Sequence, residues 1–117
     1  MKKYRIPLQV VFYKDDGRWY AHCLQFDVIG DGESRDEAAK CLSEAILIQL
    51  EASARYNNVQ NLFAPADGKY FEMFASGEEI AVGEMKLAMT RHEMTHAEVS
   101  IEGIESREYT ERELIPT

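Results

Sequence analysis

The chain has 117 residues, of which 45% are hydrophobic and 29% charged, and its formal net charge is −8. Its size fits one domain with one modest core, and the excess of negative charge argues against direct nucleic-acid binding while suiting a basic protein partner. The longest apolar-rich run, residues 45–50, is too short to span a membrane, and the start lacks the apolar segment and cleavage site of a signal peptide, so we expect a cytoplasmic protein without membrane contact.

The N-terminal third predicts three antiparallel strands. Residues 4–13 alternate, which places five side chains on one face: Tyr4, Ile6, Leu8, Val10 and Phe12. Pro7 within this strand indicates an edge position or an irregular start. Residues 14–17, KDDG, supply a turn, and residues 18–24 return as a second strand with Tyr20 and His22 on one face. A short third strand at residues 26–29 precedes the glycine-rich turn 30–32.

The strongest local signal marks the start of one long helix. Ser34 at the N-cap and Glu37 three residues later form a capping box, and the helix should run to about Tyr56. Its apolar arc of about 200° is wider than one sheet face requires, so we expect a second neighbour, either the next segment or another subunit. Residues 69–76 then predict a short second helix, capped by Gly77.

The last third is compatible with two structures. Apolar residues alternate on both sides of Glu93, which favours a β-hairpin with residues 92–96 near its bend, although helical spacing also fits. We favour strands, and we expect residues 98–113, which carry six glutamates, to be a solvated surface segment. The predicted organisation is a single domain with a core at 4–56, an extension at 62–78, C-terminal strands at 82–104 and an acidic tail at 105–117.

Residues 13–46, YKDDGRWYAHCLQFDVIGDGESRDEAAKCLSEAI, resemble the HicB-like antitoxin family. The shared features are an acidic-glycine turn, an aromatic-x-Ala-x-Cys strand, a G-D-G turn with a serine cap, and a D-E-A helix opening; residues 62–78 are similar to an extension of some members. The resemblance implies a β-β-β-α core related to a partial ribonuclease H fold, usually dimeric or higher. It also implies a role as the neutralising partner of a small basic RNA-cleaving toxin of HicA type. Residues 79–117 are too acidic to be the DNA-binding tail that the family commonly adds.

The predicted fold class is therefore α+β, with a three-stranded antiparallel sheet, one long helix packed on it, a short second helix and a C-terminal β-hairpin. We expect the protein to act by contact with other proteins, as a HicB-like antitoxin or a solitary relative, without enzymatic activity or cofactor. The predicted partner-binding residues are Asp15 and Asp16 of the acidic turn and the exposed strand residues Tyr20 and His22. A solitary scaffold or small-ligand module is an alternative.

The pattern H-E-x-x-H at residues 92–96 provides the competing hypothesis, a zinc-dependent hydrolase. His92 and His96 would share one face of a helix and bind the metal, with Glu93 as general base. Against this, no histidine follows His96 to serve as a third ligand. A second minor alternative is a carboxylate cluster of nuclease type formed by Asp15, Asp16, Asp27 and Asp31, for which turn and strand-end roles are a sufficient explanation.

Overall fold

The computed structural model describes residues 2–81, 91–93 and 97–111, which form an α+β fold with one mixed sheet. Its elements are β1 (Lys2–Asp15), β2 (Arg18–Cys23), β3 (Val28–Gly32), α1 (Arg35–Arg55), a 3-10 helix (Val59–Leu62), α2 (Gly68–Ser76), β4 (Glu78–Glu79), β5 (Arg91–Glu93) and β6 (Ala97–Glu108). The strand order is β3-β2-β1-β6-β4, and β5 also pairs with β6. Within the described residues, no helix is long and apolar enough to cross a membrane.

The predicted hairpin of β1 and β2 is present, with Asp15 opposite Arg18 at its end. β2 reaches only as far as the residue opposite Val10. The last rung is made by Gln9, whose carbonyl accepts the Leu24 N–H at 2.9 Å and whose N–H donates to the side-chain oxygen of Gln25 at 2.6 Å. Residues 7 and 9 of a strand direct their backbone N–H groups to the same side. The N–H that Pro7 lacks would therefore lie beyond the end of β2, where it interrupts no strand pairing. β1 is not an edge strand, because it lies between β2 and β6, and its register against β6 shifts between residues 6 and 7.

The third strand lies two to three residues later than predicted and contains both glycines of the expected turn. The reason is the close approach of α1. A methyl group built on Gly30 would lie 2.7 Å from the Ala38 carbonyl oxygen and would overlap the backbone of Leu42, and one on Gly32 would lie 2.8 Å from the Ala38 nitrogen. Only residues without a side chain allow the strand and the helix to pack backbone against backbone.

Helix α1 begins and ends where the sequence predicts. The Ser34 hydroxyl accepts the Glu37 N–H at 3.1 Å, while the Glu37 carboxylate accepts the Glu33 N–H at 2.8 Å, so the capping box reaches one residue further back than its usual form. Leu42, Ile46 and Leu50 are fully buried against the sheet. Each contributes about 1.5–3 kcal/mol by leaving water.

The main core lies between α1 and the sheet face that carries the predicted stripe of β1. A second, smaller cluster lies on the opposite face, where α2 packs over β1. Its buried members are Val11, Leu24, Ala66 and Phe74. The amide of Ala66 donates to the carbonyl of Leu24 at 2.8 Å, which fixes the chain entering α2 to the end of β2. The two helices therefore lie on opposite faces of one sheet.

The C-terminal third corrects two predictions. β5 and β6 pair antiparallel on either side of residues 94–96, as the predicted hairpin requires, but β6 also pairs in parallel with β1, so the predicted three-stranded sheet is part of one larger mixed sheet. The expected solvated segment at 98–113 is also wrong for most of its length, since β6 runs to Glu108 and buries Val99, Ile101 and Ser106. Alternation explains this: the glutamates lie between inward-facing residues. The strand alternative holds for residues 91–93 and 97–101, while 82–90, 94–96 and 112–117 lie outside the described residues.

Candidate functional site: a tyrosine face with an acidic rim

The acidic turn between β1 and β2 presents two carboxylates to solvent. Asp16 and Gly17 have φ values of 50° and 79°, which is the left-handed pair required by a two-residue hairpin turn. Asp15 and Asp16 are both exposed. The structure therefore places these two predicted partner-binding residues where another protein could reach them.

Three tyrosine rings stack beside this turn, on the sheet face opposite α1. Tyr13 and Tyr20 are directly paired across β1 and β2, with ring centroids 5.5 Å apart and an interplanar angle of 17°. Tyr70 of α2 continues the stack, 6.2 Å from Tyr13 at 23°. All three side chains are half-buried. We call this surface, with its bordering aspartates Asp15, Asp16, Asp27 and Asp31, the tyrosine face.

His22 is buried beneath the tyrosine face, where its ring contacts Tyr70. The prediction that His22 is an exposed contact residue is therefore wrong. His22 is 1% exposed, because α2 and the turn after β2 cover it. Its Nε2 lies 2.7 Å from the Asp27 carboxylate, and its ring meets Tyr70 edge-on at 4.3 Å. Since a carboxylate only accepts, Nε2 donates this hydrogen bond. Nδ1 has no hydrogen-bond partner within the described chain. His22 thus connects Tyr70 of α2 to Asp27.

The environment of the face favours the neutral form of the Tyr13 hydroxyl, and its border carries negative charge. Burial raises the pKa of Tyr13 to about 12, and the neighbouring Tyr70 and Tyr20 add to the effect. Arg18 is held by Asp31 in an exposed ion pair of 2.7 Å, which raises the pKa of the guanidinium. Lys69 lies 4.9 Å above the Tyr70 ring. Four carboxylates therefore border the three phenols against two cations, which leaves a net negative rim.

The minor alternatives find less support in the geometry. In the described part of the chain, no group of three or more His, Cys, Asp or Glu side chains is arranged to hold a metal ion, so Asp15, Asp16, Asp27 and Asp31 do not form the carboxylate cluster considered above. His92 and Glu93 belong to strand β5, so the backbone there is extended and not helical as the H-E-x-x-H motif requires. His96 lies outside the described residues, and metal binding by the two histidines stays a prediction.

Sequence reasoning did not include Tyr13, Tyr70 and Asp27 among the contact residues. Tyr13 alternates away from the core stripe, which is the signal that could have placed it beside Tyr20. Asp27 has a φ of 52°, a conformation that aspartate tolerates better than most residues, and this turns its carboxylate back towards His22. The position of Tyr70 depends on how α2 packs on the sheet, for which the local sequence holds no signal.

Comparison with models of known families, with curated proteins and with solved structures finds no match for this chain.

Proposed function

We propose that this protein is a HicB-like antitoxin, or a solitary relative of that family, which acts by protein–protein contact and masks a small basic RNA-cleaving protein. The tyrosine face is the proposed contact surface. In this proposal the chain binds the partner and supplies no catalytic group. It blocks the partner's active site by occupying it. The proposal combines the family resemblance of residues 13–46 with the chemistry of the face.

The observation that carries the proposal is the stack of three half-buried tyrosines inside a net negative rim. Tyrosine is enriched at the centres of protein interfaces, because it buries a large rigid ring and keeps a hydroxyl for hydrogen bonding. Here the three rings already hold one another in position, so little side-chain freedom is lost when a partner covers them. The rim of aspartates would attract a basic protein and accelerate its association.

The order of elements is also in accord with the resemblance. The chain runs β1, β2, β3, α1, which is the β-β-β-α core that membership would imply. The acidic turn, the G-D-G segment and the serine cap on which the resemblance depends each have a structural role: hairpin reversal, close packing of β3 on α1, and the start of α1. These roles explain why the pattern would be kept in a domain of this shape.

The test is co-expression with the small basic protein that the proposal expects from an adjacent reading frame, followed by purification of the complex through a tag on this chain. We expect the two to remain together at about 50 mM salt and to separate progressively towards about 500 mM, since the rim interaction is screened. RNA cleavage by the partner should be suppressed in the complex and restored after separation.

A matched pair of variants locates the surface. Tyr20→Ala removes one ring of the stack, and we expect at least a tenfold loss of affinity. Tyr56→Ala is the control, because Tyr56 is 75% exposed at the end of α1, away from the face, and should bind as the wild type does. Asp16→Asn keeps the left-handed turn, which asparagine tolerates, and should reduce the salt dependence. Clean separation of the two proteins at low salt, or equal effects of both tyrosine variants, would refute the proposal.

The proposal extends to self-association, which the resemblance implies. Phe63 is 39% exposed beside Tyr4, with ring centroids 5.3 Å apart, and forms an apolar contact surface near the start of β1. The tyrosine face lies towards the other end of this long strand, so a dimer formed here would leave it free. Sedimentation equilibrium of wild type and Phe63→Ser is the measurement: a monomeric wild type would contradict self-association.

A further inference from the structure

The outer edge of the sheet at β3 is open. β3 is the first strand in the sheet order, and in the described part of the chain it pairs only with β2. Its outward-facing N–H and C=O groups are therefore available to another strand. The strand is also short, with residues Val28–Gly32, so that an added segment would have to be short and extended.

A shallow, open groove lies on the outer side of α1, beside Val28 at the start of β3. Its volume is about 580 Å³, and besides Val28 it is lined by four residues of α1: Ala45, Ile48, Gln49 and Ala52. Ile48 is 67% exposed, although it is a large aliphatic residue in the middle of a helix. The sheet-facing side of α1 is already filled by the main core, and the part of the wide apolar arc around Ile48 is left largely uncovered by the described residues. Open backbone groups and an apolar groove thus lie side by side.

We propose that β3 accepts an extended, basic segment of the protein partner as an additional strand, whose alternate apolar side chains fill the groove beside Ile48. Backbone pairing would supply affinity, and the groove would select apolar residues at every second position. The inference rests on the proposed function, because it takes the partner to be basic. An added strand would also extend the sheet that carries the tyrosine face, so the two surfaces can serve one partner.

The charges around the groove favour a basic occupant. Glu44 and Glu51 lie one turn before and one turn after Ile48 on α1, and both are exposed. The carboxylate of Asp31 beside β3 is 45% exposed, but it is already paired with Arg18 at 2.7 Å and lies 3.9 Å from the Cys41 Sγ of α1, so it is not a free charge. A segment that alternates apolar and cationic residues would direct the apolar set into the groove. Cations at its ends would lie near Glu44 and Glu51.

A second copy of this chain fits the edge poorly. α1 lies directly over β3, as the contacts of Gly30 and Gly32 with its backbone demonstrate. Paired strands are about 4.8 Å apart, whereas packed helices need about 8–10 Å between their axes. Two copies joined through β3 would therefore force their α1 helices together. A strand that carries no helix on that side avoids this conflict.

The experiment uses the full chain, isotopically labelled for NMR, and a synthetic peptide of alternating lysine and valine with blocked ends. We expect the peptide to shift the amide signals of residues 28–32 and the methyl signals of Ile48. Ile48→Ser should weaken binding about tenfold, whereas Tyr56→Ser, a matched change at an exposed apolar residue outside the groove, should leave the Kd unchanged. A peptide methylated on alternate backbone nitrogens should not bind, and a glutamate–valine peptide should bind at least tenfold more weakly.

Several results would overturn the inference. Equal binding of the methylated peptide would exclude strand pairing, and shifts confined to the tyrosine face would place the peptide elsewhere. A dimer that Ile48→Ser dissociates would mean that a second copy covers the groove. The two proposals fail separately: a basic partner that binds the tyrosine face while no peptide binds β3 refutes this inference alone. Peptide binding at β3 without any partner on the tyrosine face refutes the proposed function alone.

Discussion

The substitution Gly30→Ala tests the packing of α1 on β3, which positions the whole edge of the sheet. The new methyl group would lie 2.6 Å from the Leu42 Cα and 2.7 Å from the Ala38 carbonyl oxygen, where ordinary contacts begin at 3.4 Å. All of these atoms belong to the backbone, so no side chain can rotate away and α1 must retreat by about 1 Å. Overpacking of this kind costs about 1–3 kcal/mol, and we expect the upper end.

The assay is chemical and thermal unfolding followed by circular dichroism, with Gly103→Ala as the matched control. Gly103 is also in a strand, but a methyl group there meets nothing within 4 Å. Alanine should therefore be neutral or stabilise by about 0.5 kcal/mol through the unfolded state. A loss of about 3 kcal/mol at Gly30 corresponds to a fall in Tm of roughly 10 °C for a domain of this size. If Gly30→Ala lies within about 0.5 kcal/mol of wild type, α1 does not pack on β3 as described.

Three further predictions concern titration, thiol reactivity and capping. Burial raises the pKa of Tyr13 from 10.0 to about 12, so its contribution to stability is complete below pH 10 and is lost as the pH rises towards 12. After allowance for the partial exposure of Tyr13, the free energy of unfolding should fall by roughly 1 kcal/mol over that window. The fall should be smaller in Tyr13→Phe. Cys23 is fully buried, and burial raises its pKa to about 11, so iodoacetamide at about pH 8 should label Cys41 first. The Cys41→Ser variant should resist labelling until it is unfolded. Rapid labelling of that variant would contradict the burial of Cys23. Ser34→Ala removes the acceptor of the Glu37 N–H and should cost about 1 kcal/mol in urea unfolding, and an unchanged midpoint would count against the cap.

The parts of the fold that the sequence predicts correctly are those with local causes. Asp16 and Gly17 adopt the left-handed turn, which aspartate tolerates and glycine adopts freely because it has no side chain. Ser34 and Glu37 start α1 through contacts within four residues. The face of β1 that enters the main core follows from alternation alone. None of these features depends on how distant segments pack.

The errors arise where distant segments meet. The glycines Gly30 and Gly32 look like a turn, since only the presence of α1 explains why a strand needs them. A strand over Val99 and Ile101 could be predicted from their alternation, but the parallel pairing with β1 that buries them has no local signal. For the candidate site, Asp15, Asp16 and Tyr20 could be placed from the hairpin, but the burial of His22 depends on α2, which folds back from elsewhere in the chain.

The most direct test of the central claim is hydrogen–deuterium exchange of this chain, alone and in complex with the basic partner. If the tyrosine face is the contact surface, the amides of residues 13–20 and 67–71 should exchange more slowly in the complex. The amides around Tyr56, away from the face, should be unaffected. Protection confined to the far end of α1, with the acidic turn and Tyr70 exchanging as in the free chain, would contradict the account.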